Sequence, residues 1–173
     1  MQLHNLKSFY ITHQIKEHHI HKNILLSLIN EIPNNSYENI SHTDFNLPKD
    51  YKRKYLDYFY DNVIKDYMDN LCNILKIKNW NIQGSWFQQY NKKEKHNWHT
   101  HPECQFTNIY FLELPDTKYI TELNNSCFNE TINLQNVFEG SVITFPSYIL
   151  HRSIPINEDT KKTIISFNSN FFN

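Results

Sequence analysis

The sequence contains no alanine and only two glycines, Gly84 and Gly140. Its cysteines, Cys72, Cys104 and Cys127, form no CxxC pair and are odd in number. That excludes a disulfide framework and suits a reducing, cytoplasmic setting. No apolar run approaches a membrane span, and the opening MQLHNLKSFY lacks an apolar signal core. Neither sign of charge dominates: Lys plus Arg is 17, Asp plus Glu is 18, and the net charge is −1. A nucleic-acid or membrane-surface partner is therefore not expected. The missing glycine and alanine, beside abundant Asn, Ile and Lys, read as the footprint of an AT-rich genome. With so much asparagine, triplets such as Asn34 to Ser36 are expected by chance and mark no glycan site.

What the chain does have is room for one domain, 173 residues, and a large aromatic share of 15%. The aromatics exclude disorder in spite of a mean hydropathy of −0.66. Residues 1–78 read as mostly helical support. Leu3 to Ile15 is ambiguous, with an opening strand as one reading. His21 to Ile32 gathers Ile24, Leu25, Leu28, Ile29 and Ile32 on one helical face, and Pro33 ends it. Pro48 suits a first turn, and Tyr51, Tyr55, Phe59, Val63, Tyr67, Leu71 and Leu75 continue a helix to about Ile77.

From residue 79 the period changes to two. Strands are expected at Trp80–Tyr90, Trp98–His101, Phe106–Leu114, Lys118–Leu123, Thr131–Gln135, Ser141–Phe145, Ile149–Ile154 and Thr163–Phe167. Short strands at this density imply a mainly β fold, a jelly roll with N-terminal helices buttressing one sheet. A bulge is expected at Gly84 and a positive φ at Gly140.

Ten histidines stand out. His4, His13, His18, His19, His21 and His42 fall in the helical or loop-like N-terminal part, outside any matched motif, and His96 in NKKEKHNW reads as exposed. His99 and His101 are two apart in an expected strand, so both leave one face. They are either a chance surface pair or two ligands of one metal. His151 lies 50 residues beyond His101, and a closed β fold can return it opposite the pair. Three ligands on one side leave open positions on the other, as in non-haem Fe(II) oxygenases.

The stretches HNWHTHPECQFTNIYFLELPD and EGSVITFPSYILHRSIPINEDTKKTIISFN resemble the iron(II)- and 2-oxoglutarate-dependent oxygenase superfamily. More narrowly, they are similar to a prolyl-4-hydroxylase-like branch of small bacterial and phage proteins with an HxHP motif. The likeness runs from about Trp86 to Phe172. It implies a double-stranded β-helix, Fe(II) as metal and 2-oxoglutarate as cosubstrate. It also implies O2 and a peptidyl or small-molecule substrate as partners, with release of succinate and CO2. The location expected is the cytoplasm, the host's if the chain is viral.

Residue by residue, His99 matches the first iron ligand and His151 the distal one. His101 stands where the wider superfamily has the Asp of HxD; it is either the third ligand or turned away, with solvent in its place. Lys162 corresponds to the basic residue that meets the far carboxylate of 2-oxoglutarate, where Arg is usual. Lys161 is its neighbour and competitor, but strand alternation admits only one of the two inward. Ser166 shares the Lys162 face. Thr107, Ile109 and Phe111 lie on one face of the strand where relatives line the cosubstrate site, and Tyr90 matches a tyrosine that touches it. Trp86 and Trp98 read as packing. Arg152, next to His151, points to the opposite face or contacts substrate. Substrate choice is assigned to loops 91–97 and 124–135 and the N-terminal segment. Two rival readings remain at this level: a zinc-type hydrolase with three histidines, and a non-catalytic jelly-roll binding module.

Overall fold

The computed structural model describes residues 8–33, 36–37, 40–125 and 129–173. His4, Cys127, the start of the ambiguous Leu3 to Ile15 segment and part of the 124–135 loop lie outside them. Two antiparallel sheets face each other, and helices cover the outer face of the larger. That sheet contains β1 (Ile11–Gln14), β2 (Ser36–Tyr37), β3 (Ser41–Thr43), β4 (Asn79–Tyr90), β6 (Phe106–Glu113), β9 (Ser141–Pro146) and β11 (Lys162–Phe172). Its order is β1-β9-β6-β11-β4-β3-β2. The smaller sheet runs β5 (His96–His99), β10 (Leu150–Ser153), β7 (Glu122–Asn125) and β8 (Glu130–Ile132). This is the expected jelly roll with helices on one sheet.

The alternation of β6, β9 and β11 sorts two cores. Tyr110, Leu112, Val142, Ile165 and Phe167 face the helices. Ile109, Phe111, Ile143, Phe145 and Ile164 face the second sheet. On the helix side, α1 (His18–Asn30) contributes Leu25 and Ile29. α2 (Lys54–Phe59) passes through a π-helical turn, Tyr60–Ile64, into α3 (Lys65–Leu75). The wider turn buries Val63 and Ile64 together, and the apolar face continues through Tyr67, Met68, Leu71 and Cys72. Tyr67 packs on the sheet with its hydroxyl 2.6 Å from Thr144 Oγ1, so the buried phenol is satisfied.

Four expectations need correction. The long helix starts at Lys54, not Pro48, because Arg53 turns back to cap Asp44, Leu47, Pro48 and Tyr51 oxygens. The first helix starts at His18, three residues early. The strand expected at Lys118–Leu123 begins only at Glu122: a 3-10 turn, Thr117–Tyr119, takes the start of that segment, held by Asp116 accepting from the Lys118 amide. Finally, β5 ends at His99, so His101 lies beyond the strand, where its amide donates to Ser147 O. Both glycines behave as expected. The β4–β11 register slips between Asn168 and Ser169, opposite Gly84 and Ile82, leaving Gln83 as the extra residue of a bulge. Gly140 has φ +86°, and a Cβ there would meet Gln14 Nε2 at 2.5 Å and the His18 ring at 2.6 Å.

Candidate metal centre

β5 and β10 pair antiparallel with His99 directly opposite His151. Cross-strand neighbours on one face have Cβ atoms about 4.5–5.5 Å apart, and here the ring centroids are 4.2 Å apart. His101 reaches the same point from the turn after β5, 4.9 Å from the His151 ring. One ring nitrogen from each of the three lies within 4.8 Å of the others. His101 does not turn away.

The other ring nitrogens show which atoms are free. His99 Nδ1 donates to Asn97 O at 2.7 Å, and His151 Nδ1 donates to Ile149 O at 3.1 Å. His101 Nδ1 donates to Asn168 Oδ1 at 2.7 Å, with Thr107 Oγ1 at 3.1 Å from the same nitrogen. Each Nδ1 is thus committed as a donor, which leaves Nε2 unprotonated on all three rings and able to ligate. This outer hydrogen bonding sets the tautomer a metal requires. Burial holds the imidazoles neutral as well. His151, beneath Phe145, has its pKa pushed down to about 2 by burial and by neighbouring His99 and His101. Burial also lowers His99 and His101.

His96 is not exposed. It stacks on His99 with centroids 3.9 Å apart and a 24° tilt, and burial lowers its pKa to about 4. The β5–β10 register is irregular between the His151–His99 and Ser153–His96 pairs. That extra residue lets two side chains three apart share a face, which strict alternation forbids.

Lys162 lies in the same interior and is fully buried. Its Nζ donates to Tyr119 O and Ser153 Oγ, each at 2.8 Å, and sits 5.2 Å from the Tyr90 ring centre. Among the described residues no carboxylate pairs with it. Burial pulls its pKa down to about 7. Lys161 takes the other face, half exposed, 3.6 Å from Glu113. Tyr90, Ile109 and Ser166 line a narrow cleft with the triad, about 20 Å³ and little more than one water. Thr107 touches His101 instead, and Phe111 packs in the apolar cluster with Ile109 without lining the cleft.

Trp86 does more than pack: it lines the cleft, its ring 5.4 Å from His101. Trp98 packs under the Arg152 guanidinium at 4.5 Å, and Arg152 Nε donates to Glu122 at 2.6 Å. Asn168 escaped the sequence reading, although counting by twos from Lys162 through Ser166 reaches it. His96 left no such signal.

Sequence comparison matches the chain to no family model and to no curated protein. Structure comparison finds several. The viral collagen prolyl hydroxylase vCPH from Paramecium Bursaria Chlorella virus-1, in its 2OG complex, is 15% identical with a TM-score of 0.63 over 95% of this chain and 96% of that one. A Pseudomonas putida prolyl-4-hydroxylase is 11% identical with a TM-score of 0.60, over 94% and 91%. The non-heme alpha-ketoglutarate-dependent carbocyclase SnoK from nogalamycin biosynthesis is 8% identical with a TM-score of 0.67, over 95% and 80%. The chain has the fold of the 2-oxoglutarate-dependent iron oxygenases. No helix among the described residues is long and apolar enough to cross a membrane.

Proposed function

We propose that the protein is a non-haem Fe(II)- and 2-oxoglutarate-dependent dioxygenase that hydroxylates a peptidyl or small-molecule substrate. One observation carries the reading: a buried lysine without a carboxylate partner shares an interior with three neutral, outward-braced histidines. A buried ammonium held only by neutral oxygens is costly, and a dicarboxylate bridging it to a metal offsets that cost.

His99, His101 and His151 would hold the iron, and Lys162 would meet the far carboxylate of 2-oxoglutarate. Ser166 and Tyr90 would flank the cosubstrate, with Ile109 as its apolar wall and Phe111 backing that wall. Thr107 and Asn168 fix the His101 ring. With three imidazoles in place of two and a carboxylate, the metal carries one more unit of positive charge and draws an anionic cosubstrate more strongly. Bound there, iron supplies the oxidant that converts substrate C–H, O2 and 2-oxoglutarate into C–OH, succinate and CO2. The narrow cleft requires its lining side chains to give way when the diacid enters. A zinc hydrolase fits less well, because among the described residues no Asp or Glu lines the two cavities that the triad borders to serve as general base.

Anaerobic titration with Fe(II) and 2-oxoglutarate tests the reading through the visible charge-transfer band of the chelate. The wild type should show it; His99→Ala, His151→Ala and Lys162→Glu should not. Bound metal without the band in the wild type would refute the assignment.

A further inference from the structure

A second cavity of about 450 Å³ opens beside the candidate metal centre. His99 and His101 form its floor, and Ile40, Phe45, Trp86 and Pro102 its walls. Phe45 is 62% exposed and meets Trp86 edge to face, with centroids 5.2 Å apart. An exposed aromatic held in this way over a cavity is an apolar surface awaiting a partner. Among the described residues no Asp, Glu, Lys or Arg lines the space. An adjoining cleft, bordered like this one by Phe45 and Trp86, holds Lys49 and Glu103.

Ser41 makes the cavity specific. It is 1% exposed and lines this space, and its Oγ has no hydrogen-bond partner among the described residues. Buried hydroxyls are nearly always paired, and an orphan carries a desolvation cost. An apolar ligand with a single hydrogen-bonding group would remove that cost. His99 and His101 thus border two spaces, the narrow cleft that Arg152, Ser153 and Ser166 also line and an aromatic one, without charged lining among the described residues, that Ser41 lines.

We propose that the substrate taken by this second compartment is a neutral, largely apolar molecule whose one hydrogen-bonding group seats against Ser41. The proposal rests on the oxygenase reading for the word substrate, but not for the binding chemistry. It places specificity on β3, the residues just after it, Trp86 and His96 of loop 91–97.

Calorimetric titration of the metal-free, full-length protein at pH 7 with three probes tests it: 2-naphthol, 2-naphthoate and naphthalene. Naphthol should bind at least about tenfold tighter than naphthoate, since the charge finds no partner. Ser41→Ala should weaken naphthol about three- to tenfold and leave naphthalene unchanged. It should also melt no lower than wild type, because it removes an unsatisfied buried hydroxyl. Phe45→Ala, at an exposed position, should weaken both neutral probes together. Naphthoate binding as tightly as naphthol, no naphthol binding, or indifference of naphthol to Ser41→Ala would each overturn the proposal. The chelate band, read separately without naphthol, keeps the two conclusions apart. Its absence beside the expected affinities would sink the oxygenase reading and still support the cavity's chemistry.

Discussion

The two faces of the large sheet enclose opposite kinds of interior. Between sheet and helices, Tyr55, Phe59, Ile64, Met68, Tyr110 and Phe167 pack with almost no exposure, and Phe59 stacks on Tyr110 at 5.8 Å. Polar groups there are satisfied: Asp44 accepts from Arg53, Tyr55 and the Phe87 amide. Between the sheets, β11 buries Lys162 and Ser166, and β10 of the facing sheet buries His151 and Ser153. The first interior gains free energy from burial, while the second spends it on holding desolvated groups in place. One strand serves both: in β11, Ile165 and Phe167 face the helices, and Ile164 and Ser166 face the site.

The most severe way to break this division is to cut the helix-side layer. Phe59→Ala should cost roughly 3–5 kcal/mol in urea denaturation, and the variant that still folds at low temperature should form the chelate. A small loss would mean the helices are dispensable to the sheet.

A next, smaller effect comes from the cost stored between the sheets. Folded Lys162 titrates at about 7 against 10.5 for an ordinary lysine. Between those values the unfolded state binds more protons, so stability rises with pH across the window, and the penalty is fully present below about 7. Relative to Lys162→Met, the wild type should gain up to ~1.4 kcal/mol per pH unit from pH 7 to 10. A flat difference would show that the ammonium is not buried unpaired. If the Lys162 ammonium meets the far carboxylate as proposed, 2-oxoglutarate binding should weaken as pH rises above 7.

The smallest change sharpens the site alone. Asn168→Ala removes the oxygen that orients His101 and should lower metal affinity roughly 10- to 100-fold, measured by competition with a chromogenic chelator. Phe59→Ala should leave that affinity near wild type. Equal losses in both variants would erase the distinction between the two interiors.

Much of the site was legible because period-two alternation is a local rule. It separates Lys162 from Lys161, puts Ser166 on the Lys162 face and sorts Ile109 and Phe111 from Tyr110. His99 and His151 were nameable from the resemblance of their surrounding motifs. What escaped depends on departures from alternation. His96 joins His99 through an irregular register, and His101 arrives from a turn rather than the strand. The Lys118–Leu123 segment has strand-like residues, but Asp116 captures its first turn.

By itself, then, the sequence determined the order of helices and strands, the faces of β6 and β11, and the identity of the histidines that could act together. Those follow from side-chain spacing and from chemistry written into single residues. Only the tertiary structure decided that His99 sits opposite His151, that Asn168 braces His101, and that Ser41 borders the cavity without a partner. Each depends on strand pairing across tens of residues, which is set by the closure of the two sheets and leaves no local pattern in the chain.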